Sequence, residues 1–179
     1  MLEGQRISLR CLEVEDLPLI AAWRNQSEIR RSFFNKALLA ASGQKKWFER
    51  IIEDRSKQFF VCVSKDSNLP FGMISLVDID LANQKAEIGT TIVGDQSMWG
   101  KGIASEMIGL LLEYAFVDLG LNRVYAYAID YNKGSIRVKE KGGFQMEGVL
   151  RQHHYSNGSF HDVMIMGITR QEWLTKKVT

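Results

Sequence analysis

The run Gln96-Ser97-Met98-Trp99-Gly100-Lys101-Gly102-Ile103-Ala104 contains the residues best suited to grip an anion. It follows a short apolar stretch, Ile88 to Val93, and leads into a long amphipathic stretch that begins at Ile103. That order reads as strand, glycine turn and helix start. A helix start offers N–H groups without intrahelical partners, together with the positive end of the helix dipole. Glycines allow the main chain to approach a ligand closely. The chemistry of such a turn is the binding of a phosphate or pyrophosphate. Its spacing matches neither the P-loop pattern nor Gly-x-Gly-x-x-Gly, so neither nucleotide signature is read here. Three histidines, His153, His154 and His161, form no ligand cluster beyond ordinary strand spacing, and no metal is expected.

These residues need elements to hold them. Arg6 to Leu12 alternates polar and apolar and reads as a first strand. Leu17 to Arg24 reads as a helix, with Asp16 as cap and Pro18 at an early position, closing at Asn25. Ser27 to Arg31 reads as a short helical turn, and Ser42 as the cap of a helix running to about Asp54. Gln58 to Val63 and Phe71 to Ile79 read as a strand pair around the turn at Asp66-Ser67-Asn68. Lys85 to Val93 is the central strand that delivers the glycine turn. Residues 101–119 form a helix with Ile103, Met107, Leu111, Tyr114 and Ala115 on its core face. Strand Arg123 to Ala128, helix Ser135 to Lys141, strand Phe144 to Tyr155 and strand Phe160 to Ile168 follow, with a hairpin at Asn157-Gly158. Thr169 to Glu172 is a capping box for a short last helix.

The expected architecture is a single α/β domain over residues 1–179 with a mixed sheet. Of the 179 residues, 45% are hydrophobic and 25% charged, which suits one real core. A net charge of +2 argues for no nucleic-acid partner. No apolar run approaches the roughly 20 residues that span a bilayer, so no membrane partner is expected. Cys11 and Cys62 sit in apolar strand-like runs and read as buried free thiols. A cytoplasmic enzyme fits these features.

The loop resembles the acetyl-CoA loop of the GNAT N-acetyltransferases, Gln/Arg-x-x-Gly-x-Gly-x-Ala/Gly. Gln96, Gly100, Gly102 and Ala104 match it, with one extra residue after Gln96. The resemblance extends through Ala86-Glu87-Ile88-Gly89, Glu113-Tyr114-Ala115-Phe116, Leu119 to Val124, Asn132, Ser135 to Val138, Glu140-Lys141, Gly143-Phe144, Glu147-Gly148, Asn157-Gly158, Asp162 and Glu172-Trp173. It covers roughly residues 6–175 and is closest to the branch of ribosomal-protein N-terminal, spermidine and aminosugar-nucleotide acetyltransferases. The resemblance implies a mostly antiparallel sheet of six to seven strands, flanked by helices and splayed at its centre. It also implies acetyl-CoA as cosubstrate, no metal, and an amine acceptor. A homodimer is an assembly open to such a chain.

By the same resemblance, Ile92 and Val93 pair with the pantetheine arm and Trp99, Gly100, Lys101, Gly102, Ile103, Ala104 and Ser105 wrap the pyrophosphate. Asn132 meets the arm, with Ser135 beside it. An oxyanion donor is expected at a bulge near Ile92 or Val93. Glu87 is the carboxylate placed to take a proton from the amine, or else a strand charge paired to Lys85. Period two puts it on one face with Gly89 and Thr91. Tyr155, His153 and His154 are further candidates along their strand, with His154 in the acceptor pocket. The family's general acid is a tyrosine seven residues after the asparagine, and here that position is Lys139. Lys139 either offers a proton or cation to the leaving thiolate, or is a solvated helix lysine.

Acceptor choice is read from the N-terminal third. Arg30, Arg31 and Phe33 lie in a basic region that resembles the aminosugar-nucleotide enzymes more than the spermidine ones. The expected acceptor is therefore a nucleotide-linked amino sugar. The alternatives are a ribosomal-protein N-terminal amine or a polyamine such as spermidine. A coenzyme A-binding module without catalysis is the reading from another class.

Overall fold

The computed structural model describes residues 1–178. Eight strands form one sheet: β1 Leu2–Glu3, β2 Ile7–Cys11, β3 Gln58–Ser64, β4 Pro70–Asp80, β5 Lys85–Val93, β6 Arg123–Ile129, β7 Gln145–Ser156 and β8 Ser159–Thr169. Their order is β1-β2-β3-β4-β5-β6-β8-β7. Seven of these were legible in the sequence. The eighth, β1, is two residues long and too short to carry a periodic signal. The helices are α1 Leu17–Asn25, α2 Ser27–Arg30, α3 Ala41–Ile51, α4 Ile103–Glu113, α5 Lys133–Gly142 and α6 Arg170–Val178.

Neighbouring strands pair antiparallel everywhere except at β5 and β6, which run parallel. That pairing has three rungs, Lys85 with Arg123, Ala86 with Val124 and Glu87 with Tyr125. Beyond Glu87 the two strands part. The sheet is thus splayed at its centre, and the unpaired edge of β5 from Ile88 onward faces the gap.

Two cores cover opposite sheet faces. One packs α4, Phe116, Phe144 and Trp173 against Ile7, Leu9, Ile74, Leu76, Ala86 and Ile88. The other packs Ile20, Trp23 and Ile29 of α1 and α2, with Trp47 of α3 at its margin, against Val61, Met73 and Ile92. Ile88 and Ile92 have the same parity yet lie in different cores. The cause is a bulge: the β4–β5 register shifts between Ile74 and Leu76, and the Ser75 hydroxyl accepts the Thr90 N–H at 2.8 Å. An extra residue inverts the alternation of everything after it. Gly89 and Glu87 therefore do not share a face with Thr91, as simple period two predicts. The bulge also lies at Gly89–Thr90, not near Ile92 or Val93.

Smaller differences have local causes. The helix after the glycine turn begins at Ile103 because Gly102 is its left-handed N-cap, and it widens into a π turn over Tyr114–Asp118. Asp16 does not cap α1 with its side chain but accepts a bidentate pair from Arg10 at 2.7 and 2.6 Å. The α3 helix starts at Ala41, with Ala40 rather than Ser42 as its N-cap. Cys62 is fully buried as expected, whereas Cys11 is exposed at the end of β2. The capping box forms as read, with Thr169 N–H donating to Glu172 Oε2 at 2.7 Å.

Candidate active site

The turn between β5 and α4 is built by strong local preferences. Asp95 accepts the Ser97 N–H at 2.9 Å and starts a 3-10 turn over Gln96–Met98. Gly100 and Gly102 then adopt φ of 73° and 75°, which side-chain-bearing residues rarely take. No atom lies within 4 Å of a Cβ built on Gly100, so conformation, not crowding, calls for glycine there. The result aims the first N–H groups of α4 at open space. Sequence reasoning missed the clamp on this turn. Arg6 donates to the Lys101 carbonyl at 2.8 Å and pairs with Glu106 at 2.8 Å. Its cation offsets the one carboxylate in the first turn of α4, which would otherwise repel a phosphate there.

A cavity of about 1090 Å³ opens beside the turn. It is walled by Thr91, Ile92 and Val93 of β5, by Trp99, Gly100 and Gly102 to Ser105, and by Asn132 to Ser135 with Arg137 to Lys139 of α5. Ten of the expected cofactor residues meet in this wall: Ile92, Val93, Trp99, Gly100, Gly102, Ile103, Ala104, Ser105, Asn132 and Ser135. Two do not. Gln96 donates to Gln26 at 3.2 Å and ties the turn to α1, and Lys101 contributes its carbonyl to Arg6. Lys133, Arg137 and Lys141, spaced by four along α5, add cations to the wall. That stripe is visible in the sequence and was missed. An open cavity with unpaired strand edge on one side and cations in its wall fits coenzyme A: an amide-bearing arm, a pyrophosphate and a phosphorylated ribose.

Two titratable groups act on one another here: Lys139 in the cavity wall, and Glu87, which is not among the wall residues. Glu87 occupies the last parallel rung, on the face opposite Ala86 and Ile88. Burial and then the Asp78 carboxylate push its pKa up from 4.5 to about 7, while Lys139 pulls the other way. Lys139 approaches from α5. It is 5% exposed, so it is not the solvated helix lysine that a polar helix suggests. Burial lowers its pKa from 10.5 to about 8, with the Glu87 charge opposing. Asn132 caps α5 by accepting the Ser135 N–H at 3.1 Å, and the Lys139 Nζ donates to Ser135 Oγ at 2.5 Å.

The remaining expected residues are dispersed. Tyr155 is 62% exposed at the hairpin tip and stacks on Phe160 at 5.0 Å, outside the cavity wall. A register shift between Leu150 and His154 turns His154 inward and Tyr155 outward. His154 is buried edge-on against Phe34 at 5.4 Å and helps to hold the hairpin on the 31–36 segment. His153 is exposed on β7. Phe33 lies under the Arg24 guanidinium at 3.6 Å. Arg31 lines the cavity, and its carbonyl accepts the Tyr131 hydroxyl at 3.2 Å, whereas Arg30 is not in the wall. The cavity wall also includes Ser156, Asn157, Ser159 and His161, with His161 Nδ1 3.2 Å from Asp130.

Residues 6–145 match the family described as acetyltransferase (GNAT) domain. The chain belongs to the GNAT acetyltransferase family. It is 33% identical over 179 residues to the putative ribosomal N-acetyltransferase YdaF of Bacillus subtilis, covering 97% of each chain. It is 28% identical to the spermidine N(1)-acetyltransferase of Escherichia coli K12, covering 100% of this chain and 94% of the other. The spermidine N-acetyltransferase of Vibrio cholerae, solved with CoA and spermine, superposes with a TM-score of 0.88 at 26% identity, over 96% and 99% of the two chains. This GNAT protein is therefore an N-acetyltransferase that uses acetyl-CoA, and its splayed sheet is that of the family. Among the described residues no group of side chains could hold a metal ion, and no helix is long and apolar enough to cross a membrane. The aminosugar-nucleotide acceptor is not supported. Of the arginine pair that suggested it, only Arg31 reaches the cavity, and the two relatives above are named a putative ribosomal and a spermidine acetyltransferase.

Proposed function

We propose that the amine acetylated by this enzyme is a small polycation of the polyamine class. One observation supports the reading: Asp78 lies close enough to Glu87 for its charge to raise the Glu87 pKa, and among the described residues neither has a basic partner within 4 Å. Tyr125 stands with them, its hydroxyl pKa raised by burial and then by the Glu87 and Asp78 charges, and Tyr127 packs against it at 5.9 Å between ring centroids. Two carboxylates and two aromatic faces suit an amine that carries a second positive charge. The likeness to spermidine acetyltransferases supports the same class.

In this reading the cofactor is held from the α4 face and the amine comes to Glu87 from the other, so that the two meet in the gap. A base with a pKa near 7 is suited to take the amine proton at neutral pH. A cytoplasmic site of action goes with a polyamine substrate. The apolar hairpin tip at Tyr155 and Phe160, each 62% exposed, supports self-association as a homodimer, which light scattering would read. A second acceptor, a protein N-terminal amine, is favoured by the 33% identity to the putative ribosomal enzyme. The test is thiol release from acetyl-CoA with spermidine, spermine, N-terminal peptides and an aminosugar nucleotide. Fastest turnover on a peptide would reject the polyamine reading, and coenzyme A binding without turnover on any amine would support the non-catalytic module instead.

A further inference from the structure

We propose that the Lys139 ammonium is the proton donor to the leaving thiolate of coenzyme A, with Ser135 as its positioning residue. The inference rests on the acetyltransferase reading above and supplies the acid that reading lacks, since the family's tyrosine is absent here. Lys139 lines the cavity together with Thr91, Val93 and Ser135, is 5% exposed, and has no carboxylate within 4 Å among the described residues. Lysines serving only stability are normally solvated or ion-paired, because burying an unpaired charge is costly. This one is held by Ser135 Oγ at 2.5 Å, and Ser135 is fixed by Asn132 at 3.1 Å. Asn132, Ser135 and Lys139 follow at helical spacing on one side of α5, which keeps the ammonium pointed into the cavity.

The proton accounting closes. The neutral amine nitrogen attacks the thioester carbonyl, and its surplus proton passes to Glu87 as the C–N bond forms. The tetrahedral intermediate collapses, the C–S bond breaks, and the sulfur takes a proton from Lys139. Glu87 is then protonated and Lys139 neutral. Each group feels the other's charge, and exchange with solvent restores both: Glu87 releases its proton and Lys139 takes one up. With the Lys139 pKa lowered to about 8, donation to a thiolate of reference pKa about 8.5 is nearly balanced, which is where acid catalysis is most effective. Glu87 on β5 acts on Lys139, with Asp78 acting on Glu87, and Arg137 and Lys141 of α5 share its cavity wall with Arg31, Lys133 and the titratable His161.

Lys139→Met tests this in the full-length enzyme with acetyl-CoA and the best amine of the panel. The expected result is a fall of at least about 10²-fold in kcat, a KM for acetyl-CoA within about threefold of wild type, and loss of the alkaline limb near pH 8. Lys139→Tyr should recover at least about tenfold over Lys139→Met, because a phenol can donate from the same position. Ser135→Ala should displace the alkaline limb, which a purely structural serine would not do. If Lys139→Met folds poorly, Lys139→Arg serves: it keeps the charge but, with a pKa above about 12, donates badly and should lose the limb too. A Met variant that keeps more than about a third of wild-type kcat, or keeps its alkaline limb, overturns the proposal while leaving the acetyltransferase reading intact. A wild-type enzyme that binds coenzyme A yet turns over no amine overturns both.

Discussion

Replacing Gly102 by Ala isolates the physical basis of cofactor binding. Gly102 has φ 75° and ψ 7° and is the N-cap of α4, and the nearest atom to an added Cβ is an Arg6 nitrogen at 3.8 Å. Sterics within the protein are therefore not the obstacle. An L-residue pays about 1–2 kcal/mol to hold a left-handed conformation. The turn must either bear that cost or relax and draw the Ile103 and Ala104 N–H groups away from the phosphate position. Each charge-assisted hydrogen bond lost weakens binding by about 1.5–3 kcal/mol, or roughly 10- to 150-fold. Titration calorimetry with coenzyme A should thus show at least about a tenfold rise in Kd. Gly109 provides the control. It lies inside α4 with no atom within 4 Å of an added Cβ and without a positive φ, so Gly109→Ala should stabilise by about 0.4–1 kcal/mol and leave Kd unchanged. If Gly102→Ala bound coenzyme A within about twofold of wild type, the claim that these main-chain donors grip the pyrophosphate would fail.

Further outcomes follow from the same geometry. With its pKa raised from 4.5 to about 7, Glu87 is deprotonated only above that value, so kcat/KM should rise through pH 7, and Glu87→Gln should abolish that limb. The folded state keeps this proton while the unfolded state loses it near pH 4.5, so folding stability should fall between pH 4.5 and 7, and Glu87→Gln should flatten that slope in thermal melts. Asp78→Asn removes a charge that raises the Glu87 pKa. The acid limb should then shift to lower pH, and the KM should rise more for spermidine than for a monoamine. Arg6→Ala breaks the ties to Lys101 and Glu106 and leaves the carboxylate uncompensated, so coenzyme A should bind several-fold more weakly with little change in kcat. In the native protein Cys11 should react with a thiol reagent while Cys62, fully buried with its thiol pKa raised, should not, which labelling before and after unfolding would show.

Local chemistry accounts for what was legible in the chain itself. A left-handed turn needs glycine wherever it occurs, so Gly100 and Gly102 announce the anion site without reference to the rest of the fold. Asn132 before a helix and the Asn157-Gly158 turn are equally local, as are the seven strand-like runs and the helix beginning at Ile103. Protonation state is another matter. Lys139 sits in a short polar helix, and nothing in its neighbours along the chain says that it is buried. Its pKa follows from burial in the folded protein, with the charge of Glu87 on β5 opposing, and neither is visible in the local sequence. The same holds for Glu87 and Asp78, nine residues apart in sequence and brought together by the β4–β5 pairing. The bulge at Gly89–Thr90, opposite Ser75, could not be read either, because a bulge is a mismatch between two strands and neither strand carries it alone. It alone decides that Val93 packs on the α4 face of the sheet while Glu87 lies on the other. Spacing along the chain set where a phosphate can bind, and the three-rung pairing of β5 with β6 set where the two substrates can meet.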